Sequence, residues 1–477
     1  MAELRSPLHT EAFIDGAWRG APRRFAVTDP ATGRELARVA DLDADAIDDA
    51  IAAAARAFPA WRARSAYDRA ACLDRLTAAI RADERGLAAL ITAENGKPIA
   101  ESIAEVRYAA SFLAWFAGEA VRMYGETIPA TRADQRITVT REPVGVCALI
   151  TPWNFPAAMM TRKLGPALAA GCTVVCKPAS ETPLTMLALA AHAEAAGIPA
   201  GVINVVTGDA VRIGERLTGS AVVRKLSFTG STAVGRTLAS QCAPTLKRLS
   251  LELGGNAPFV VFDDADLERA VAGAMIAKFR NAGQSCVAAN RFLVQRGIAA
   301  RFVDALAARV RALRVGAGSE PGVDVGPLIH ARAGEAVRKR IRDAIDRGAR
   351  VVCGGADGEG PWVTPTVLDG VTGEMAVWRE EVFGPVVPVT TFADDAEAIA
   401  LANDTDAGLV AYVYTRDGGR QIRMTEAIEA GMIGVNEGLV STAQAPFGGV
   451  KQSGYGREGS RHGLDEYTEL KYVMTGV

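Results

Sequence analysis

Short β-branched apolar runs alternate with helically spaced ones along much of this chain. Val144–Ile150 is an apolar run that predicts a buried strand. The turn TPWNFP follows, and then helical spacing from Ala157 to Ala170. Thr173–Cys176 predicts the next strand, closed by Lys177 and Pro178. Pro183–Ala196 predicts a helix stopped by Gly197 and Pro199, and Val202–Val206 a short strand. VRKLSFTGSTAVGRTLA runs from a strand through glycine into a helix. The alternation then repeats with FVVF, a helix over Asp266–Ala282, RFLVQ, a helix over Ala299–Leu313, VVCGG, LVAYVYT and MIGVN. Strands this apolar, set between helices, are the parallel strands of βαβ units. The expected class is α/β, built as two doubly wound lobes. One segment fits neither lobe. GETIPATRADQRITVTREP is polar, with a strand-like core at Arg136–Thr140, and predicts an extended hairpin arm suited to oligomerisation.

Composition narrows the function classes. At 477 residues the chain exceeds one ordinary core. Its 49% hydrophobic and 23% charged residues are those of a globular enzyme. A net charge of −2 gives no footprint for nucleic acid or an anionic membrane. No apolar run has the length of a membrane span, and the opening MAELRSPLHTEAF lacks the apolar core of a secretory signal. Seven scattered cysteines without a CxxC framework point to a reducing cytoplasm. The four histidines are not clustered, so no protein-held metal is expected.

Candidate chemistry concentrates in three segments. KFRNAGQSCVAANR places Cys286 in a loop of small and polar residues, open to another molecule. It reads as a nucleophile or as a small buried residue. LELGGNAP sets Glu252, a lone carboxylate in an apolar run, before two glycines. Such surroundings raise a carboxyl pKa toward general-base use, unless Glu252 pairs with Lys247 or Arg248. In TPWNFP, Asn154 is either an oxyanion donor held in a rigid turn or an ordinary turn residue. A fourth feature is Gly230 and Gly235 at a strand-to-helix junction, which is a phosphate site or a plain tight turn. Lys177 ends another strand, where ligands of open α/β sheets gather.

Seven motifs, TPWNFP, GCTVVCKPAS, FTGST, LELGGNAP, GQSCVAANR, EEVFGP and PFGGVKQSG, together resemble the aldehyde dehydrogenase superfamily, in its order and at similar spacing. Within it, TRKLGPALAAGC, RKLSFTGST, KFRNAGQSC and GREGS are most similar to succinate-semialdehyde dehydrogenases. The resemblance implies a Rossmann-type cofactor lobe (1–124 and 143–252) and an α/β catalytic lobe (253–445). A β-arm and C-terminal segment for oligomerisation complete it (125–142 and 446–477). It gives Cys286 the role of nucleophile, passing through a thiohemiacetal and a thioester. Asn154 and the Cys286 N–H become oxyanion donors, and Glu252 the base for deacylation. It places Trp153, Lys177, Gly230, Ser231, Glu381 and Phe383 around the cofactor. It places Arg162, Arg280 and Ser441 at the far end of the substrate, where arginine's planar fork suits a carboxylate.

Two departures shape the expectation further. Many members place glutamate three residues after the adenosine-site lysine, against both ribose hydroxyls. Here that residue is Ser180, which biases the chain toward NADP, although the adjacent Glu181 keeps NAD open. Ala288 stands where some relatives carry a second cysteine, so that redox disulfide cannot form. The expected reaction is oxidation of succinate semialdehyde to succinate by a cytoplasmic homodimer or homotetramer. Glutarate semialdehyde, a CoA-acylating enzyme and a non-catalytic homologue are the alternatives. Glu252 disfavours the CoA reading, because water activation would then be unneeded.

Overall fold

The computed structural model describes residues 8–477. Two sheets dominate it. The first has eight strands, in the order Ala17–Arg19, Ala12–Ile14, Ile203–Val205, Thr173–Lys177, Val146–Ile150, Val223–Thr229, Arg248–Glu252 and Gly454–Tyr455. Its five central strands are parallel. Short antiparallel strands close both edges. The second sheet has seven strands: Arg350–Cys353, Thr366–Asp369, Val386–Phe392, Ala289–Gln295, Ala257–Val261, Val410–Tyr414 and Met432–Val435. Only its first strand runs antiparallel. The α/β pattern of buried parallel strands therefore forms as the apolar runs predict.

The chain passes from the first sheet to the second through four residues, between Glu252 and Ala257. Ile150, Lys177, Thr229 and Glu252 all end parallel strands of the first sheet. These carboxyl ends form the crevice in which open α/β sheets hold ligands.

Two predicted elements differ. The helix expected over Asp266–Ala282 is Leu267–Phe279, and its continuation is a short turn. Asn281 and Ala282 there take left-handed conformations, φ 51° and 54°. Side chains pay for that region sterically, so the segment is held by tertiary bonds rather than by propensity. The arm is the second. Gln135–Pro143 pairs with Glu126–Ile128 as a hairpin and also, over nine residues, with the C-terminal strand Thr468–Gly476. That third strand exposes Leu470, Tyr472 and Met474. No helix among the described residues is long and apolar enough to cross a membrane.

Candidate active site

Four segments meet at the sheet ends. The TPWNFP turn leaves the strand Val146–Ile150 and delivers Asn154 one residue before the helix-entry Phe155. Pro156 opens the helix Pro156–Ala170, where its missing N–H costs nothing. Cys286 follows the left-handed turn at Asn281 and Ala282. The two segments touch through a hydrogen bond from Asn154 Nδ2 to the Gln284 carbonyl, 3.1 Å. A cavity of about 240 Å³ opens beside them. Trp153, Asn154, Gly230, Ser231, Cys286, Glu381 and Phe383 are in its wall.

Cys286 is half-buried, and its backbone is tightly seated. A Cβ on Gly255 would lie 2.3 Å from the Cys286 carbonyl oxygen, so only glycine fits there. Burial pushes the Cys286 thiol up to about 12, against the pull of Arg162; Glu381, Glu252 and Glu458 push the same way as burial. The resting sulfur is therefore a neutral thiol, and a proton acceptor is needed for attack.

Glu252 is the last residue of its strand, fixed between Thr229 and Gly454. Its main-chain carbonyl accepts from Gly230 N–H at 3.0 Å, which ties the base segment to the glycine turn. The side chain is buried, and neither carboxylate oxygen has a hydrogen-bond partner. Pairing with Lys247 or Arg248 does not occur: Lys247 bonds Ser220 and Thr245, and Arg248 bonds Glu469 and the Thr468 carbonyl. Burial, reinforced by the charge of Glu458, lifts the Glu252 carboxyl well above the usual range; Lys163 and Arg162 oppose this.

Glu458 was not singled out from sequence. It forms a buried ion pair with Lys163 and a second with Arg162 at 3.3 Å. Arg162 also donates to Tyr108 Oη at 3.0 Å and lies 4.0 Å over the Phe447 ring. Arg162 is thus fully buried and partnered, with Nε alone unpaired. Arg280 is different. It is half-buried, and its guanidinium carbon lies 5.1 Å from the centre of the Phe155 ring. Ser441 is half-buried in the loop after Met432–Val435. The two arginines that sequence reading treats alike are in unlike settings.

Of the residues assigned to the cofactor, Trp153, Gly230, Ser231, Glu381 and Phe383 line the cavity beside Cys286, and Lys177 ends the strand next to Val146–Ile150. Ser231 caps the helix Thr232–Cys242, its hydroxyl accepting from Val234 N–H, and leaves an exposed helix N-terminus suited to phosphate. Lys177 is buried, with only the Pro178 carbonyl as a hydrogen-bond partner for its ammonium at 3.1 Å. Burial lowers its pKa, and Glu181 and Asp209 work against that. Ser180 is half-buried beside the Gly208 carbonyl. Glu381 accepts from Gly255 N–H at 3.1 Å, and burial raises it to about 7. Phe383 takes φ 52° and stands edge-on to Trp153, centroids 5.6 Å apart. Asn290 holds this loop in place by bonding Glu380 and Val382 backbone. A buried lysine with a single backbone partner and an exposed helix N-terminus suit the charged parts of a dinucleotide.

A further set of residues escaped the sequence reading. AENGKP carries Glu94, Asn95 and Lys97, all buried. Glu94 accepts from Leu184 and Thr185 N–H and burial raises it to about 8. Asn95 donates to the Trp153 carbonyl at 3.0 Å. The signal was present: Glu94 and Asn95 close a helix at Gly96, Lys97 follows directly before Pro98, and polar side chains held that close to a chain turn are costly to bury unless each has a partner.

Residues 18–473 match the Aldehyde dehydrogenase family model. The chain is 54% identical to a 3-sulfolactaldehyde dehydrogenase of Pseudomonas putida, over 100% of this chain and 99% of that one. It is 53% identical to the NADP(+) succinate-semialdehyde dehydrogenase GabD of Escherichia coli (strain K12), over 98% of each chain. It is 52% identical to a glutarate-semialdehyde dehydrogenase of Pseudomonas putida (strain KT2440), again over 98% of each. Among solved structures, an aldehyde dehydrogenase from Brucella melitensis biovar abortus 2308 superposes with a TM-score of 0.99 at 54% identity, covering 100% of this chain and 99% of that one. Sequence and fold thus match across almost the whole length, and the chain belongs to the aldehyde dehydrogenase family, whose enzymes use NAD(P).

Proposed function

We propose that the protein oxidises a short aldehyde with an anionic far end, succinate semialdehyde first, to the corresponding acid. One observation carries this reading: a single cavity brings Cys286 and Asn154 together with Gly230, Ser231 and Glu381. Cys286 Sγ bonds to the aldehyde carbon, and its proton leaves to a base, Glu252 or water. Asn154 Nδ2 and the Cys286 N–H donate to the oxygen that becomes the oxyanion. A nicotinamide, when bound, supplies the hydride acceptor. Lys177, Ser180, Ser231 and Glu381 hold its dinucleotide, with Trp153 and Phe383 beside the ring. The product of this stage is a thioester on Cys286. Glu252, unpaired and buried, takes a proton from the water that attacks the thioester carbon, and the acid leaves as Cys286 regains its thiol. A CoA-acylating enzyme has no use for that carboxylate, and a non-catalytic homologue has none for the trio.

Arg280, with Ser441, is the outer anchor for the substrate anion, and Arg162 stands behind it, already partnered by Glu458. A second reading has its own support. The first-named relative oxidises a sulfonated aldehyde, and a guanidinium with no carboxylate partner serves a sulfonate as well as a carboxylate. NADP is the favoured cofactor, because Ser180 sets no carboxylate against a 2′-phosphate. The reading also includes the division into lobes at 1–124 with 143–252 and at 253–445. It includes a homodimer or homotetramer built through the arm, and a cytoplasmic location.

The test is one panel. Succinate semialdehyde, glutarate semialdehyde and 3-sulfolactaldehyde are each given with NAD and with NADP, with and without CoA, and reduced cofactor is followed. The expected result is highest kcat/KM for succinate semialdehyde with NADP, independent of CoA. A higher value for 3-sulfolactaldehyde would transfer the assignment to the second reading, and no turnover of any anionic aldehyde would end both.

A further inference from the structure

The start of the helix Ile99–Ala120 reaches both reacting segments. Lys97, the residue before Pro98, is fully buried and donates from Nζ to the Asn154 carbonyl at 2.6 Å and to Glu105 Oε2 at 2.6 Å. Glu105, also buried, uses its other oxygen to accept from Ala157 N–H at 2.9 Å and Ala158 N–H at 3.3 Å. These are unpaired donors in the first turn of the helix that follows Asn154. Glu101, one helical turn before Glu105, accepts from Asn281 N–H at 2.6 Å. Asn281 in turn donates from Nδ2 to the same Asn154 carbonyl, 2.8 Å, and to the Gln284 carbonyl, 3.3 Å. The Gln284 carbonyl is the atom that receives the Asn154 side-chain amide.

We infer that Lys97 and Asn281 are positioning residues that set the distance between the Asn154 amide and Cys286, with Glu101 and Glu105 fixing them to one helix. This rests on the reading of Asn154 as oxyanion donor. The physical case is that the two segments come from different sheets. Asn154 follows a strand of the first, and Cys286 precedes a strand of the second. Nothing in either sheet fixes their separation to the fraction of an ångström that an oxyanion site needs. The Asn154 carbonyl carries two donors, one from each side of this seam. Asn281 sits at φ 51°, a conformation that a free loop has no reason to keep. A buried ammonium could have been satisfied by Glu105 alone; its second bond goes to Asn154, the amide residue in the cavity wall.

The test uses three variants, each made alone and in the Asn154→Ala background. Lys97→Met with Glu105→Gln removes both buried charges together and keeps an acceptor for Ala157 and Ala158. Lys97→Met alone completes the set. Asn281→Gly deletes the amide and relieves rather than adds strain at positive φ, so it remains informative if the lysine variants do not fold. Single-turnover formation of reduced NADP is followed with succinate semialdehyde and with butanal. Asn154→Ala is expected to slow this step about 10²- to 10³-fold. The positioning variants are expected to slow it about ten- to a hundredfold on both aldehydes, with KM moving less than about threefold. Alkylation of Cys286 by iodoacetamide, which forms no oxyanion, should keep its rate. In the Asn154→Ala background the same changes should cost less than about twofold, because the group they position is gone. Undiminished rates in Asn281→Gly and in the lysine variants, beside a slow Asn154→Ala, overturn the positioning role and leave the oxyanion reading standing. Losses that simply multiply in the Asn154→Ala background overturn it as well. A fast Asn154→Ala sinks the oxyanion reading, and the positioning role with it.

Discussion

The region around Glu252 and the region around Arg280 are built on opposite principles. At Glu252 the buried charged neighbours are paired off, and half-buried Arg457 bonds only backbone carbonyls. Lys163 and Arg162 share Glu458, and Arg162 is further held by Tyr108 and Phe447. Glu252 alone has no partner for either oxygen. At Arg280 the guanidinium is half-buried against an aromatic ring, and Ser441 is half-buried too. The first region spends its bonds on fixing one carboxylate in an unfavourable setting, which is what a base near neutrality requires. The second leaves a cation without a direct ion pair, acting at longer range on Glu101, and on the proposed function that suits an incoming anion. On the proposed function, the difference separates chemistry from specificity. Relatives named for sulfolactaldehyde, succinate semialdehyde and glutarate semialdehyde at similar identity agree with a constant chemical end and a variable anion end.

The hardest blow to the chemical end is Cys286→Ala. It should abolish aldehyde oxidation while NADP binding stays nearly intact, as read by fluorescence titration. Substantial turnover would remove Cys286 from the reaction. The pH dependence of the intact thiol follows from burial. A thiol raised to about 12 is protonated throughout the neutral range. Its thiolate fraction then rises with pH, by about tenfold per unit, until that value is approached. Iodoacetamide inactivation of the cofactor-free enzyme should climb steadily with no plateau between about pH 7 and 10. A plateau in that window would mean that the free thiol is already activated.

Glu252→Gln comes next. The amide is nearly isosteric but cannot take a proton from water, so thioester hydrolysis should slow by about 10²- to 10⁴-fold. Stopped-flow should show a burst of reduced cofactor approaching one equivalent, then slow turnover. A slowed burst would add thiol deprotonation to the role of Glu252, and a normal steady-state rate would sink the base assignment.

The two arginines test the comparison directly. Arg280→Ala should damage use of succinate semialdehyde by about 2–5 kcal/mol, tens- to thousands-fold in kcat/KM, and butanal little. Arg162→Ala strips a partner from buried Glu458, so both aldehydes should suffer and the melting temperature should fall. If Arg162→Ala spares butanal as fully as Arg280→Ala does, the two regions are not distinct and both arginines grip the substrate.

Sequence made the strands legible because each leaves a local mark, and it singled out Cys286, Glu252 and Asn154 as candidates, whose roles came from the family resemblance. A buried parallel strand is an apolar run, and Cys286, Glu252 and Asn154 each break their surroundings. What it left out is relational. Lys163 and Glu458 lie 295 positions apart, and no local pattern pairs them. Asn281 looks helical by spacing, yet its bonds to Asn154 and Glu101 hold it in a left-handed turn. Arg162 and Arg280 look equivalent because spacing reports position and not partners. The third strand of the arm was unread for the same reason, since it pairs residues more than 300 positions apart.

The smallest expected effect lies away from both regions, at the adenosine end. Ser180 is half-buried next to the Gly208 carbonyl, and Glu181 is exposed beside it. Glu181 and Asp209 already act on the Lys177 ammonium. A further carboxylate from Ser180→Glu would face a 2′-phosphate and repel it, while accepting from a 2′-hydroxyl. The existing acids have already set part of that field, and the site is open enough for solvent to screen the rest. The shift in the ratio of kcat/KM for NADP over NAD should therefore be about tenfold toward NAD, well below the arginine effects. It should shrink as salt is added, because one arm of it is a charge repulsion. It should leave the burst amplitude with succinate semialdehyde unchanged, because Ser180 touches neither Cys286 nor Glu252. A ratio that stays put, or moves toward NADP, means that the ribose is held by other residues and that Ser180 does not set the cofactor.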